Sequence, residues 1–264
     1  MKLAGLTLVE LLVVLSVTVF LAALLFPAFH SSREQARTTA CEARVRQLAF
    51  ALHAYEGDNQ SFPYGFGGLG KMPPPGGYQG NAIIDPLGWW WFNFVGAVRY
   101  RTARDMNALR CPSKRLEDAT LKRDILCGNY GVNRAICKSV GSGSPGNEFE
   151  GAPLSIGAFR HPAMTLLVMD SGYSLICWWH AAKDPPVTFG NSIQDATYVP
   201  GLEINEQKIL WPGQKQDAIG GRHPNQTVNI AFADSHAERR KARDLLVEKT
   251  NEGGWNYSPL WSPE

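Results

Sequence analysis

Four histidines, His161, His180, His223 and His236, fall near the ends of apolar segments, and Asp170 and Asp234 lie there too. Imidazoles and carboxylates gathered at strand ends can hold a metal ion or move protons. His223 and Asp234 are the candidate metal ligands of this set. Simpler roles compete with that chemistry. His161-Pro162 and His223-Pro224 place two imidazoles directly before proline, a turn position. Asp234-Ser235 closes an apolar run, where an Asp side chain caps a turn through nearby backbone N–H groups. The chain has no HExxH, GxSxG or phosphate-loop motif, so no catalytic residue is assigned and an enzyme is not expected.

The five cysteines show no CxxC spacing, which argues against a zinc ribbon or a thioredoxin-like site. Cys41 falls on a helical segment. Cys111, Cys127, Cys137 and Cys177 fall in the later part of the chain and could form disulfides in an oxidising compartment, with three full pairings open. The formal net charge of +2 is nearly balanced and does not call for nucleic acid. The one basic run, Glu238-Arg239-Arg240-Lys241-Ala242-Arg243, is expected to be a solvated helix face.

The elements that must position these groups begin with a long helix. From Leu6 to Phe29 there are 24 residues whose only ionisable side chain is Glu10. About 20 apolar residues in a helix cross a bilayer core. This run is too long and too poor in basic residues for a cleaved secretory signal. Pro27 is a candidate bend. Beyond it, Cys41, Val45, Leu48, Leu52 and Tyr55 are spaced 4, 3, 4 and 3, an apolar stripe on one helical face. Gly57-Asp58-Asn59 is the expected stop, so the helix should cover about 75 Å from Leu6 to about Glu56.

After the helix, Ser61–Gly88 is rich in Gly and Pro and reads as a long surface loop. Trp89-Trp90-Trp91 could be a carbohydrate platform or an interface, but such a cluster is more often core. Arg110-Cys111-Pro112-Ser113 and Tyr130-Gly131-Val132-Asn133 sit in segments that read as irregular. His161–Gly172 reads as a buried strand with Ser174–His180 as its partner, and Thr227–His236 as a strand with Val228, Ile230 and Phe232 on its apolar face. A short helix is expected around Lys241–Lys249.

The order Gly5-Leu6-Thr7-Leu8-Val9-Glu10-Leu11-Leu12-Val13-Val14 closely resembles the type IV prepilin signal shared by pilins and type II secretion pseudopilins. The resemblance implies cleavage by an inner-membrane prepilin peptidase between Gly5 and Leu6, and methylation of the new amino terminus at Leu6. Glu10 becomes the fifth residue of the mature chain, where the family pairs a carboxylate with a neighbouring subunit's terminal ammonium. A carboxylate in hydrocarbon costs several kcal/mol unless paired, so Glu10 would set register during assembly. Phe is usual after the glycine; here it is Leu6.

The C-terminal part resembles the H-X9-DG processing-associated region of prepilin-like proteins, whose members often carry a Cys-Pro segment, a Tyr-Gly-x-Asn segment and a strand ending in Asp-Ser. Here ten residues separate His223 from Asp234, and Ser235 stands where the motif has Gly.

Together these imply an α+β, pilin-like fold, with a long N-terminal helix packed on an antiparallel β-sheet head with long irregular loops. The expected organisation is a leader at 1–5, a transmembrane and assembly half of the helix at 6–29, an amphipathic half at 30–56 and a globular head at 57–264. The implied role is a structural subunit of a type IV pilus-like or type II secretion pseudopilus filament. The implied partners are the prepilin peptidase, other pilin or pseudopilin subunits, an inner-membrane assembly platform and the lipid bilayer. The implied location is the bacterial inner membrane, with the head in the periplasm or carried on a surface filament. No cofactor is expected; calcium is the one metal the resemblance raises, since some pseudopilins hold it in a C-terminal loop. The rival reading is a membrane-anchored ligand-binding or enzymatic head that uses a pilin-type signal.

Overall fold

The computed structural model describes residues 7–68, 85, 87–96, 108–141 and 147–263. The leader, Gly5, Leu6 and most of the Ser61–Gly88 loop lie outside these residues.

One helix, α1, runs unbroken from Leu8 to Asn59. Thr7 caps its start, and Gln60 ends it by adopting a left-handed conformation (φ 61°) while its N–H donates to Glu56 O. Its two halves differ in what they touch. Thr38, Cys41, Val45, Leu48, Ala49 and Leu52 are buried, and Tyr55 is half-buried, so the expected stripe is the docked face. The earlier apolar residues face outward: Leu8 is 79% exposed and Phe29 68%.

The head is built on a five-stranded sheet in the order β5-β3-β4-β6-β7. Its strands are β3 (Tyr130–Asn133), β4 (Leu166–Asp170), β5 (Leu175–Ile176), β6 (Thr227–Phe232) and β7 (Ala237–Lys241). The pairs β3–β4, β4–β6 and β6–β7 are antiparallel, while β5 joins β3 in parallel. The fold is therefore α+β with a mostly antiparallel sheet. A separate ladder pairs β1 (Phe66–Gly68) with β2 (Gly88–Trp90), which leads into α2 (Trp91–Gly96). Part of the expected loop, Phe66–Gly68, and its last residue, Gly88, are thus in strands.

The sheet is covered on both faces. Helix α1 packs across β4, β6 and β7. On that side lie Cys41, Val45, Leu48 and Leu52 with Tyr130, Val132, Leu167, Val168 and Ala231. The far side holds Leu166, Met169, Val228, Ile230, Phe232, Leu245 and Trp261. Strand β6 shows the reason for its pattern. Its large residues Val228, Ile230 and Phe232 fill the far layer, and its small or polar ones, Asn229 and Ala231, let α1 lie close. A register shift between Leu166 and Val168 puts the adjacent Leu167 and Val168 in the same core, with Leu166 and Met169 in the other.

Three local expectations change. Tyr130–Asn133 is an interior strand rather than irregular, because Gly131 admits Tyr173 O, which would stand 2.6 Å from an added Cβ. Ser174–His180 supplies only the two-residue β5 before a 3-10 turn at Trp178–Ala181. The basic run Glu238–Arg243 and the expected helix after it form strand β7 and a 3-10 turn at Ala242–Leu245. Pairing with β6 decides it: Thr227 to Ala231 face Lys241 to Ala237 in register, and Glu238, Arg239 and Arg240 are half-buried and tethered. Arg239 pairs with Glu42 of α1 at 3.6 Å, and Glu238 pairs with Arg240. The tryptophans are core: Trp89, Trp90 and Trp91 are all buried.

Candidate functional site

Two places gather the residues singled out by sequence. The first is the start of α1. Thr7 Oγ1 accepts from Glu10 N at 3.3 Å, while Thr7 N and Oγ1 both donate to Glu10 Oε2 at 2.8 Å. This capping box satisfies the carboxylate within one subunit and orients it along the first turn. Around it, Leu8, Val9, Leu11 and Leu12 are each more than half exposed. Among the described residues, α1 is the one helix long and apolar enough to cross a membrane.

The second place lies between α1 and the sheet. Asp170, at the end of β4, is fully buried. His223 Nε2 stands 3.0 Å from its Oδ2, and Asn229 N donates to the same oxygen at 2.7 Å. Cys41 of α1 donates to Asp170 Oδ1 at 3.1 Å, and Cys111 Sγ stands 3.6 Å from Cys41 Sγ. Tyr130 Oη is 3.3 Å from Cys41 Sγ. Arg222 lies alongside. It binds Asp217 through Nε (3.1 Å) and Nη2 (2.5 Å), Asn129 O through Nη1 (2.8 Å) and Ser171 O through Nη2 (3.1 Å). Its Nη1 is 3.6 Å from Asp170 Oδ1.

The charges follow from this packing. Burial alone would raise the Asp170 carboxyl; the charge and hydrogen bond of His223, then Arg222 and the Asn229 N–H, outweigh it and hold it low. Burial pushes His223 down, but Asp170 outweighs it and lifts the imidazole to about 9. Of the two thiols Cys111 is the more acidic. Burial raises both, whereas hydrogen bonds from Cys41 and His223 and the Arg222 charge draw Cys111 back down.

His223 and Asp234 are not brought together. The carboxylate beside His223 is Asp170, and Asp234 Oδ1 instead holds His236 Nδ1 at 2.5 Å in the β6–β7 turn. His161 O accepts from Thr165 N and Oγ1, so that residue closes a turn. His180 is buried against Cys177, with its Nδ1 3.2 Å from Cys177 N. All five cysteines are free thiols, so none of the four head cysteines is bridged, and Cys111 neighbours Cys41 on the helix. Sequence noted Asp170, Cys41 and Cys111 separately but did not join them. The buried pair Arg222–Asp217 went unread, since a charge inside a core leaves no periodic signal. Cys41, Cys111, Asp170 and His223 are all buried, with one donor atom from each lying within 4.8 Å of the others.

Known proteins place this architecture. Residues 30–95 match a family described as "Protein of unknown function (DUF1559)". The chain is 32% identical over 97 residues to type II secretion system core protein G of Pseudomonas aeruginosa, an overlap covering 32% of this chain and 68% of that protein. This chain belongs to the type IV pilin and pseudopilin family. It is also 38% identical over 60 residues to competence protein ComGC of Halalkalibacterium halodurans, spanning 59% of that protein's length. No solved structure matches. The prepilin resemblance and the pilin-like α+β fold accord with this membership. The capping Thr7 and Glu10 thus sit at the head of a pilin-type helix.

Proposed function

We propose that this protein is a structural, non-catalytic subunit of a pilus-like or pseudopilus filament, anchored in the inner membrane before assembly. One observation carries the proposal: a single helix docks its second half on the head, while the described side chains of its first half are all exposed. Side chains such as Leu8, Val13, Phe20 and Leu24, all more than half exposed, need either lipid or neighbouring helices of the same kind. Lipid suits the stored subunit, and neighbouring subunits suit the filament core. Its partners in this role are the prepilin peptidase, other pilin or pseudopilin subunits and an inner-membrane platform, with the head on the periplasmic side.

Glu10 is the register residue in this scheme. In the lone subunit its carboxylate rests on Thr7. In the bundle it exchanges that partner for a terminal ammonium freed by cleavage after Gly5. A pair of charges in low dielectric is strongly destabilising when either member is missing. Glu10→Ala is therefore expected to insert into membrane at wild-type level and to give little or no filament. Wild-type filament yield from that variant would refute the register role, and a mature chain that does not begin at Leu6 by mass spectrometry would refute the processing step.

A further inference from the structure

The four donors between α1 and the sheet are more than a buried polar network. Two sulfurs, one imidazole and one carboxylate are the donor types of a closed structural zinc site. Calcium, which takes six to eight oxygens, does not suit this set. We infer that Cys41, Cys111, Asp170 and His223 bind one Zn2+ ion that clamps α1 to the head.

The spacing supports it. In a tetrahedral zinc site with ordinary bond lengths, neighbouring donors stand roughly 3.4–3.8 Å apart. Here the sulfurs are 3.6 Å apart, Cys41 Sγ is 3.1 Å from Asp170 Oδ1, and His223 Nε2 is 3.0 Å from Asp170 Oδ2. The two short edges are hydrogen bonds, S–H to O and N–H to O. Zinc takes the place of these protons, so those two edges open by about half an ångström, while the widest separations, which reach up to 4.8 Å, draw in. The ion takes the two sulfurs as thiolates and the imidazole as the neutral ring, so any protons these groups carry leave to solvent. Two thiolates, one carboxylate and Zn2+ leave one negative charge. Arg222, 3.6 Å from Asp170 Oδ1, lies beside it.

The supporting contacts are in place. Tyr130 Oη, 3.3 Å from Cys41 Sγ, can donate to the thiolate, and Asn229 N donates to Asp170 Oδ2. Such partners orient metal ligands and tune their basicity. The ligands come from four segments: α1, the stretch before β3, the end of β4 and the residue before the Pro224 turn. They meet only when α1 docks, so metal binding and docking are one event. The clamp sits in the docked half of the helix, where it resists a pull transmitted from the membrane half.

The test uses the full chain, purified in detergent, reduced and stripped with a chelator, then titrated with Co2+. The expected result is an intense tetrahedral d–d spectrum with thiolate-to-cobalt charge-transfer absorption, saturating at one ion per chain and abolished by Zn2+. Cys111→Ser and His223→Gln should weaken Co2+ binding about 100-fold or more, and Cys137→Ser should leave it unchanged. The charge-transfer band of the unaltered chain decides the matter even where a variant fails to fold. A weak octahedral spectrum, absence of the thiolate band, or a Cys41–Cys111 disulfide mapped in chain isolated from cells would overturn the site. None of these readouts depends on filament assembly.

Discussion

At the scale of single residues, the β6–β7 turn accounts for the motif that the C-terminal part resembles. Ser235 stands where that motif has Gly, and its φ is 73°, in the left-handed region. An L-residue pays roughly 1–2 kcal/mol there, and glycine pays almost nothing. Asp234 beside it is the turn's cap: its Oδ1 accepts from His236 N at 3.1 Å, and the His236 ring stacks on Phe232 with centroids 4.3 Å apart. Ser235→Gly is expected to stabilise the protein by about 0.5–1 kcal/mol, read as a higher denaturant midpoint at unchanged slope. A lower midpoint would mean that the Ser235 side chain holds the turn. The turn role of Asp234 was legible in sequence, because an Asp-Ser pair closing an alternating strand has few other uses. The partner of His223 was not, because Asp170 reaches it from a strand more than fifty positions away.

At the scale of elements, α1 was readable almost throughout. A continuous apolar run followed by a 4-3-4-3 stripe leaves little choice, and the helix ends at Asn59, close to the expected stop. Strand β7 was hidden because its charges are spent locally. Arg239 reaches Glu42, Arg46 Nη2 reaches Ala237 O at 3.5 Å, and the Arg240 guanidinium lies over Phe232, 4.9 Å from the ring centroid. Charged side chains also blunt a sheet edge against further pairing. Strand β3 was hidden because its outward alternation is lost when both faces are covered. The two halves of α1 should answer differently to truncation. Leu48, 2% exposed against the sheet, should cost about 2–5 kcal/mol on Leu48→Ala. Phe20, 64% exposed, should leave the unfolding midpoint of the head unchanged on Phe20→Ala while weakening assembly. Equal losses of stability from the two variants would contradict the division.

At the scale of the whole molecule, the head owns its core. Among the described residues, every buried apolar side chain of α1 lies at or after Cys41, and the two clusters on either face of the sheet include nothing earlier. Segments far apart in the chain complete them. Trp261 donates from Nε1 to Leu245 O at 3.1 Å, and Asn133 Nδ2 donates to Leu166 O and Trp261 O at 2.9 and 3.0 Å. Such long-range closure is what local periodicity cannot forecast, because each partner looks like a loop residue on its own. It also means that the exposed half of α1 adds area to the chain without adding folding energy to the head. A chain shortened to begin at Ser31 should therefore be water-soluble, fold cooperatively and keep the thermal midpoint of the full protein to within a few degrees, since surface changes away from the core shift stability by no more than about 0.5 kcal/mol. It should also fail to form filaments. A midpoint lowered well beyond that margin in calorimetry would show that the exposed half supports the head after all, and would move the site of its work from between subunits to within one.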